Sequence, residues 1–376
     1  MKKILAICTS PDHGGLEIYF TSLAKYFNNK SNDVLIYPCF SKNSYIGTNL
    51  KDSVNHYLEI KNIRFFNILK YAFVISRYIQ KHNINYIHIS WGKDLLLGVL
   101  IKKLCKDNVK LIYYRQMKVT RNKHDIYHKF IYRNIDLVLV ITEKLLNECQ
   151  KFFPIQKKII KLLRYGIKTP SQFSSIFLKS KEEFYKHYNL DKNIFTIGIF
   201  SRIEDQKGQH LVLEALSYIK SDRGLNLQLI IAGYVMDKNY HDKLKKYISD
   251  YKLESVVKFV SFLPHPDSIK TMSYLDLTIL PTYEETFGLV IAESMLVGTP
   301  VIGSNAGGVP EIIKDGNNGL LFDPKNVKSL REKILNLYLN EDLRNKLSKN
   351  AHAFSLSQYN YDKHFISFSK HLSEIL

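Results

Sequence analysis

Residues 281–311 read PTYEETFGLVIAESMLVGTPVIGSNAGGVPE, a stretch that leaves a strand and passes into a helix. The apolar run at 278–281 predicts a buried strand, and the apolar spacing from Gly288 onward predicts a helix. Backbone amides at the start of such a helix point past the carboxyl end of the strand, where an anion such as a phosphate binds well. Glu285 falls in the turn and Glu293 in the helix, where a buried carboxylate is costly unless hydroxyl groups or a cation satisfy it. Either the acids merely favour the helix dipole, or they hold a ligand such as a ribose.

A set of short motifs in this stretch separates the two interpretations. In chain order they are E-x7-E (Glu285 to Glu293), FGL (287–289), GTP (298–300) and GGVPE (307–311). Their order resembles that of the retaining glycosyltransferases of family GT4, which have the GT-B fold. The resemblance implies that Glu285 is catalytic, in contact with the donor sugar near its anomeric carbon, and that Glu293 holds the ribose. It also implies donor binding, with phosphate on backbone amides, by Phe287, Gly288, Leu289 and Val290.

A second element lies upstream, in FTIGIFSRIEDQKGQHLVLEAL (195–216). Its pattern predicts a strand at 195–200 followed by a helix, with Arg202 and Lys207 between them. Two fixed cations at a strand end neutralise the negative charge of a departing diphosphate without a metal. The stretch resembles the family signature G-R-x4-K-G, with Ser201 where glycine is usual, and so implies catalytic diphosphate binding by Arg202 and Lys207. Two solvated surface cations are the alternative.

A third element is the N-terminal turn. KILAICT (3–9) predicts a buried strand, and the pair Gly14 and Gly15 precedes a predicted helix. Paired glycines permit close backbone approach to a ligand, although any first turn of a doubly wound domain can carry glycine. The turn resembles the family's Gly-Gly-x-Glu loop, which implies donor binding by Gly15 and sugar or acceptor contacts by Gly14 and His13. An exposed loop histidine is the alternative for His13.

The predicted strand at 110–114 ends beside Gln116, at the place where many relatives have a histidine that borders the donor sugar. His124, eight residues later, is a second candidate for a sugar or acceptor contact, the alternative being an exposed side chain. Glutamine donates and accepts hydrogen bonds but cannot act as a general base. The resemblance therefore implies a mechanism that needs no base there, a front-face displacement in which the departing phosphate takes the acceptor proton.

The length of 376 residues suits two α/β domains, each with its own core. The resemblance implies the GT-B fold: two Rossmann-like doubly wound domains facing across a cleft, with a C-terminal helix that crosses back to the first domain. The predicted divisions are an acceptor-side domain at 1–167, a linker at 168–192, a donor-binding domain at 193–355 and the crossover helix at 356–376. RYGI (164–167) resembles the family's exit turn, with Tyr165 in place of the usual asparagine.

Positive charge is concentrated in the first half of the chain. The net charge is +19 overall, and residues 1–167 hold 28 basic and 11 acidic side chains, a net +17. Such asymmetry suggests an anionic partner: the inner membrane surface, a lipid-linked or phosphorylated glycan acceptor, or nucleic acid. Two basic segments, 62–82 and 102–133, suit a surface role. The first also has a helical apolar pattern, and we expect this stripe to pack on the sheet.

The cysteines, the lack of an Asp-x-Asp motif and the apolar runs of the sequence further restrict the kind of protein. The four cysteines, Cys8, Cys39, Cys105 and Cys149, show no zinc-binding spacing and are interpreted as reduced structural thiols. The sequence has no Asp-x-Asp motif, so no metal and no cofactor are expected. No run of 18 or more residues is uniformly apolar, and Met1 leads directly into a strand rather than a signal peptide. We expect a cytoplasmic protein, with peripheral attachment to the inner face of the membrane as a further hypothesis.

The sequence as a whole predicts a retaining, metal-independent glycosyltransferase that moves a sugar from a nucleotide diphosphate sugar to an acceptor hydroxyl. A UDP-sugar is favoured over a GDP-sugar, and the acceptor is expected in lipopolysaccharide, capsule or another surface glycan, or on its lipid carrier. One alternative keeps the fold but makes the chain a nucleotide-sugar epimerase, against which the E-x7-E pattern argues. Another is a polyanion or nucleic-acid binder on an inactive GT-B scaffold, although no nucleic-acid-binding motif accompanies the charge.

Overall fold

The computed structural model describes the chain except for residues 31, 32, 62, 64, 107, 170–179, 224, 225 and 376. The predicted linker at 168–192 therefore lies partly outside the described residues. The chain separates into two compact units, one formed by Met1–Tyr165 with Asp362–Leu376 and the other by Gly166–Tyr361. Each unit is built on one parallel sheet, with helices connecting successive strands. The predicted domain boundaries stay predictions.

Parallel strands form the sheet of the first unit: β1 Lys2–Cys8, β2 Val34–Ser41, β3 Leu58–Ile60, β4 Tyr86–Ile89, β5 Lys110–Arg115, β6 Leu137–Val140 and β7 Ile160–Leu162. They are ordered β3-β2-β1-β4-β5-β6-β7 across the sheet. Ile4, Leu5 and Ile7 of β1 are fully buried, because a strand covered on both faces carries an unbroken apolar run. The strands predicted at 3–9 and 110–114 are confirmed as β1 and β5.

Helices connect these strands: α1 Gly15–Lys30, α2 Tyr45–Leu50, α3 Ile68–His82, α4 Leu95–Leu104, α5 Ile126–Tyr132 and α6 Glu143–Phe152. Side-chain caps fix three of the starts. Ser44 accepts a hydrogen bond from the amide of Gly47 in α2, Asp125 from His128 in α5, and Thr142 from Leu145 in α6. The helix α4 packs against both α3 and α5, so these three helices are neighbours in one layer.

The apolar stripe predicted at 62–82 does not pack on the sheet as expected. The helix α3 buries a stripe of smaller and branched side chains, Ala72, Ile75, Ser76 and Ile79. The larger apolar side chains Leu69, Phe73 and Val74 of the helix are exposed, as is Phe66 in the 3-10 turn ahead of it. The core therefore takes up one stripe of the helix and leaves these apolar side chains outside. The expectation is wrong for these four residues, whereas Asn62 and Arg64 lie outside the described residues.

The sheet of the second unit consists of β8 Phe195–Phe200, β9 Leu227–Ala232, β10 Val257–Val260, β11 Leu277–Leu280, β12 Val301–Ser304 and β13 Leu320–Phe322. Its order is β10-β9-β8-β11-β12-β13, so the direction of strand addition reverses between β8 and β11. These two strands are neighbours, with Ile197 opposite Leu277. Open α/β sheets bind their ligands beyond the carboxyl ends of the strands at such a reversal. The strand predicted at 195–200 is confirmed as β8.

The helices of this unit are α7 Lys181–His187, α8 Gln209–Arg223, α9 Lys238–Asp250, α10 Asp267–Met272, α11 Leu289–Leu296, α12 Val309–Ile312, α13 Val327–Leu339 and α14 Glu341–Gln358. Ser180 and Glu183 form a capping box at the start of α7. The core joins the sheet to the helices through fully buried side chains such as Ile199, Leu213 and Ile279. This rigid support fixes the loops that leave the strand ends.

The predicted single helix at the C-terminus is divided in two. The helix α14 ends at Gln358, and α15 spans Tyr361–Ser373. Between them, Asn360 forms a parallel β-bridge with Ile167, whose amide donates to the carbonyl oxygen of Tyr359 at 2.8 Å. Extended pairing of this kind is incompatible with a continuous helix. Residues Asp362–Leu376 belong to the first unit, as expected of the crossover.

Several expectations concern features of the whole chain. All four cysteines are free and buried, and burial raises the pKa of Cys149 to about 12. Across the described part of the chain, no helix combines the length and the apolarity needed to span a bilayer. The described residues contain no group of three or more His, Cys, Asp or Glu side chains placed to hold a metal ion. Independence from metal stays a prediction.

Candidate functional site

The candidate site lies in the second unit, where the chain leaves the carboxyl ends of β8 and β11. After β8 the chain passes Arg202 and a short 3-10 turn, Asp205–Lys207, before entering α8. Residue Gln206 of this turn joins the loop after β11, since its carbonyl oxygen accepts from the amide of Tyr283 at 3.0 Å and from Oγ1 of Thr282 at 3.1 Å. The two predicted loops therefore form one hydrogen-bonded structure.

Lys207 and Glu285 form the centre of this site. Nζ of Lys207 lies 2.9 Å from Oε2 of Glu285, and their side chains are 13% and 22% exposed, so water reaches the pair only in part. Oε1 of Glu285 accepts from the amide of Thr286 at 3.0 Å. Each carboxylate oxygen retains lone-pair capacity, and the ammonium group has hydrogens for a further acceptor. The predicted cation and the predicted glutamate thus meet, although 78 residues separate them in the chain.

Arg202 lies on the same loop but has a different partner. Its Nη2 is 2.9 Å from Oε1 of Glu204, and the Arg202 side chain is 53% exposed. Much of the guanidinium is therefore open to a ligand. Glu204 could not be identified from the sequence, because an acidic residue two positions after an arginine is not distinctive of any kind of site.

Glycines hold the backbone of both loops in place. Gly307 has a φ of +63°, and a Cβ there would lie 1.9 Å from the carbonyl oxygen of Glu285. The amide of Gly308 donates to that same oxygen at 2.8 Å. Gly208, with a φ of +64°, would place a Cβ 2.1 Å from the carbonyl oxygen of Pro281. Only glycine fits at these close approaches, so the GGVPE motif fixes the position of Glu285.

The start of α11 lies directly after Gly288. The amides of Ile291 and Ala292 donate to the carbonyl oxygen of Gly288, so the amides of Leu289 and Val290 precede the first bond within the helix. Such amides lie at the positive end of the helix dipole and favour an anion. The ring of Phe287 has another place, since it is buried edge-to-face against Tyr359 with ring centroids 5.4 Å apart. A donor contact by Phe287 would therefore come from its backbone.

Glu293 is 5% exposed within α11. Its Oε1 lies 3.3 Å from Nε2 of His265, which supplies a partner for the buried carboxylate. The helix is fixed to the sheet by Ser294, whose Oγ donates to Oγ1 of Thr278 at 2.6 Å. His265 could not be identified from the sequence, because a histidine that follows β10 has no recognisable spacing to a glutamate in α11.

The candidate residues of the N-terminal turn lie in the first unit. The ring of His13 stacks on Tyr45 with centroids 3.8 Å apart, and burial lowers the pKa of His13 below its ordinary value. The amide of Gly14 donates to Oε2 of Glu17 at 2.9 Å, which ties the loop to α1. Apart from neighbouring residues of its own helix, no described atom lies within 4 Å of the place where a Cβ of Gly15 would stand. Tyr45 could not be identified from the sequence.

Gln116 and Tyr165, the two departures from the family pattern in the first unit, contact each other. The Tyr165 hydroxyl donates to Oε1 of Gln116 at 2.6 Å, and Gln116 is 6% exposed. Nε2 of Gln116 is buried and has no hydrogen-bond partner among the described residues. An unsatisfied buried amide is costly, so this group is suited to donate to a ligand or a water molecule. His124 is exposed ahead of α5, and its amide donates to Asn122.

Comparison with known proteins gives a family match within the second unit and a fold for the chain. Residues 180–354 match the family model of glycosyl transferases group 1. The chain is 24% identical over 384 residues to the uncharacterized glycosyltransferase MJ1178 of Methanocaldococcus jannaschii, covering 100% of this chain and 99% of that protein. It is 26% identical to the capsular polysaccharide biosynthesis glycosyltransferase CapM of Staphylococcus aureus, over 57% of this chain and 55% of that protein.

Two crystal structures resemble this chain over nearly its whole length. A glycosyltransferase of Rickettsia africae has a TM-score of 0.86 at 21% identity and covers 100% of this chain, with 98% of its own length matched. The Anabaena protein Alr3699/HepE, in complex with UDP and glucose, has a TM-score of 0.81 at 22% identity, with 99% of this chain and 100% of that chain covered. These likenesses confirm the predicted fold class, two Rossmann-like units on parallel sheets.

Proposed function

Because residues 180–354 match the group 1 glycosyltransferases, consistent with the GT4 placement, we propose that the chain is a retaining, metal-independent glycosyltransferase that uses a nucleotide diphosphate sugar. The ion pair of Lys207 and Glu285 carries the proposal, because it combines a cation and a carboxylate at the strand reversal of the second unit. Arg202 adds a largely open guanidinium on the same loop. A diphosphate and the sugar attached to it need charges of these two kinds side by side.

Each part of the donor has a proposed partner in the second unit. The diphosphate would contact Arg202, Lys207 and the amides of Leu289 and Val290, which precede the first hydrogen bond of α11. Glu285 would accept hydrogen bonds from sugar hydroxyls, and Glu293 with its partner His265 would hold the ribose. We favour a UDP-sugar over a GDP-sugar, since the Anabaena protein with a similar fold is known in complex with UDP.

The proposed reaction is a displacement on one face of the sugar. The bond between the anomeric carbon and the diphosphate oxygen breaks while the acceptor oxygen forms a bond to the same carbon on the same face. The proton of the acceptor hydroxyl passes to the departing phosphate oxygen, so the products are a glycoside and a nucleoside diphosphate. Lys207 would hold Glu285 and the phosphate together, because its ammonium group has three hydrogens. No protein base is needed in this scheme.

The acceptor proposal draws on the first unit and on the relatives. The buried amide nitrogen of Gln116 lacks a partner among the described residues and would donate to a hydroxyl or ring oxygen of a sugar. His13 and Gly14 would line the same ligand. We propose a surface-glycan acceptor or its lipid carrier, in capsule or lipopolysaccharide synthesis at the inner face of the membrane, because the similar CapM is named for capsular polysaccharide biosynthesis.

Thermal unfolding with a panel of UDP, GDP and ADP and their sugars tests the donor site. A selected nucleotide at a hundredfold excess over its Kd should stabilise the protein by about 2.7 kcal/mol. The variants Arg202→Ala, Lys207→Ala and Glu293→Ala should lose that shift. Lys333→Ala is the matched control, since Lys333 forms an ion pair with Asp315 at 3.6 Å elsewhere in the second unit. No shift from any nucleotide would refute the donor site and favour the polyanion binder.

Product analysis then tests the reaction. Incubation with the selected nucleotide sugar and an acceptor should give a glycoside whose anomeric configuration, read by NMR coupling constants, matches that of the donor. An inverted product would refute the front-face displacement. Conversion of the nucleotide sugar to an isomer in the absence of acceptor would identify an epimerase instead.

A further inference from the structure

Helix α3 of the first unit and the 3-10 turn Phe65–Asn67 ahead of it carry a cluster of exposed apolar side chains. Phe66 is 79% exposed, Leu69 67%, Phe73 49% and Val74 46%. Leu69 and Phe73 are four residues apart, so they lie on one face of the helix. Single exposed apolar residues are ordinary on protein surfaces, whereas a contiguous cluster marks an interaction site. We call these four residues the α3 patch.

The charge around the α3 patch has one sign. Lys70, Arg77 and Lys81 are exposed on the same helix, and the guanidinium of Arg77 lies 4.5 Å from the ring centroid of Phe73. No acidic residue occurs between Glu59 and Asp94 in the sequence. The patch therefore pairs apolar side chains with cations alone, on a unit whose net charge is strongly positive.

A second cluster of exposed apolar and basic side chains lies on α5 and the loop ahead of it, where one acidic residue, Asp125, pairs with His128. Its exposed apolar members are Met117, Ile126, Tyr127 and Phe130, of which Ile126 is 88% exposed. The cations Lys118, Arg121 and Lys129 are exposed beside them. Helix α4 packs against both α3 and α5, so the two clusters belong to one layer of helices. At the start of α4, Lys93 lies 4.9 Å from the ring centroid of Trp91 and adds a further cation and aromatic ring.

From these observations we propose that the outer face of this helix layer binds the surface of an anionic lipid bilayer. Aliphatic side chains such as Leu69 and Ile126 gain by entering the boundary between headgroups and acyl chains, while flanking cations attract anionic headgroups. A duplex nucleic acid offers the cations a partner but leaves these aliphatic side chains in water. The proposal depends on exposure and charge in the first unit, so it is independent of the donor site.

Vesicle flotation tests the proposal with three variants. Vesicles of equimolar phosphatidylglycerol and phosphatidylcholine are compared with vesicles of phosphatidylcholine alone. The charge variant Lys70→Gln/Arg77→Gln/Lys81→Gln should partition into anionic vesicles about a hundredfold less than the wild type, since each cation at an anionic surface gives roughly a factor of five. The apolar variant Phe66→Ser/Leu69→Ser/Phe73→Ser should also lose binding. Leu339→Ser is the matched control, because Leu339 is 60% exposed but lies in the second unit.

The outcomes separate the possibilities. Wild-type protein that binds both kinds of vesicle equally, or triple variants that bind as the wild type does, would overturn the proposal. Binding to duplex DNA with no binding to either vesicle would overturn it in favour of a nucleic-acid surface. All substituted side chains are exposed, so the variants should keep the wild-type Tm, and this is measured first. The thermal shift with the selected nucleotide should be the same in every variant, so loss of vesicle binding leaves the donor site untouched.

Discussion

Mild acid should destabilise the first unit through two buried histidines. His88 in β4 is fully buried, its Nδ1 lies 3.5 Å from Oγ of Ser90, and its Nε2 has no partner among the described residues. Burial lowers the pKa of His88 to about 3. His364 in α15 is also buried and donates from Nδ1 to the carbonyl oxygen of Arg164 at 2.6 Å. Burial lowers its pKa to about 4, although that hydrogen bond acts in the opposite direction.

The magnitude follows from the difference between the folded and unfolded pKa values. An unfolded histidine has a pKa of about 6.5, so below this pH the unfolded chain takes up protons that the folded chain does not. The free energy of unfolding is therefore unaffected above about pH 6.5 and falls as the pH decreases toward the folded pKa values. At about pH 5, about 1.5 pH units below the unfolded pKa, each histidine lowers the free energy of unfolding by about 2 kcal/mol, since each pH unit corresponds to about 1.36 kcal/mol. Together they remove about 4 kcal/mol, a large part of the stability of a typical domain.

Urea unfolding followed by circular dichroism at about pH 7.5 and about pH 5 measures this loss. His88→Leu should reduce the loss by about 2 kcal/mol, since leucine fills the site without a titrating group. His56→Leu is the control, because His56 is exposed in the same unit. Burial raises the pKa of Asp94 to about 6, so protonation of this residue at low pH favours the folded state and offsets part of the loss. For this reason the pH-dependent change in the free energy of unfolding is compared between the variant and the wild type. The same loss in His88→Leu and in the wild type would refute the argument.

The remaining predictions concern the site. Lys207→Met or Glu285→Gln should lower kcat/KM about 10²-fold to 10³-fold, roughly 3 to 4 kcal/mol, because the charge of the transition state loses its partner. A wild-type value of kcat/KM in steady-state kinetics would exclude the pair from catalysis. Gly307→Ala should destabilise the second unit by about 1 to 3 kcal/mol and abolish turnover, because the new Cβ would clash with the carbonyl oxygen of Glu285. Urea unfolding and activity assays measure the two effects. Tyr165→Phe should lower kcat/KM about tenfold by freeing the Gln116 amide to rotate, with Tm as the control. Saturating EDTA should leave the reaction rate unchanged. A rate that EDTA lowers and Mg²⁺ restores would contradict metal independence.

The long apolar runs of the sheets could be predicted from the sequence, and the shortest strands could not. The strands β8 and β11 are largely apolar and are buried along nearly their whole length, so their segments can be recognised in the sequence. The strands β3, β7 and β13 have three residues each, too few to show a period. Their positions depend on pairing with the neighbouring strand, which no local pattern contains.

The candidate site could be predicted in composition but not in its contacts. The motifs named Lys207 and Glu285, and since both follow strand ends of one sheet, their proximity was open to inference. That they form a direct ion pair depends on the adjacency of β8 and β11 and on the hydrogen bonds of Gln206 to the opposite loop. The contact of His265 with Glu293 requires the loop after β10 to reach α11 across the sheet, a fact of tertiary structure alone.

The pairing of Gln116 with Tyr165 shows a different limit. Each residue is a departure from the family pattern, and nothing in the sequence links the two. In the folded unit the Tyr165 hydroxyl occupies one side of the Gln116 amide and thereby fixes which way the other side donates. In the sequence these are two separate changes, whereas in the structure they form one arrangement that orients the buried amide nitrogen of Gln116.

Helix α3 shows why apolar periodicity predicts a helix better than it predicts the buried face. The segment has apolar residues on more than one face, and the core needs only the stripe that contains Ala72, Ile75 and Ile79. Leu69 and Phe73 lie outside that stripe and are exposed. Apolar side chains in excess of what the core can bury must face water or a partner, and exposure to water carries a free-energy cost that a bilayer surface would remove.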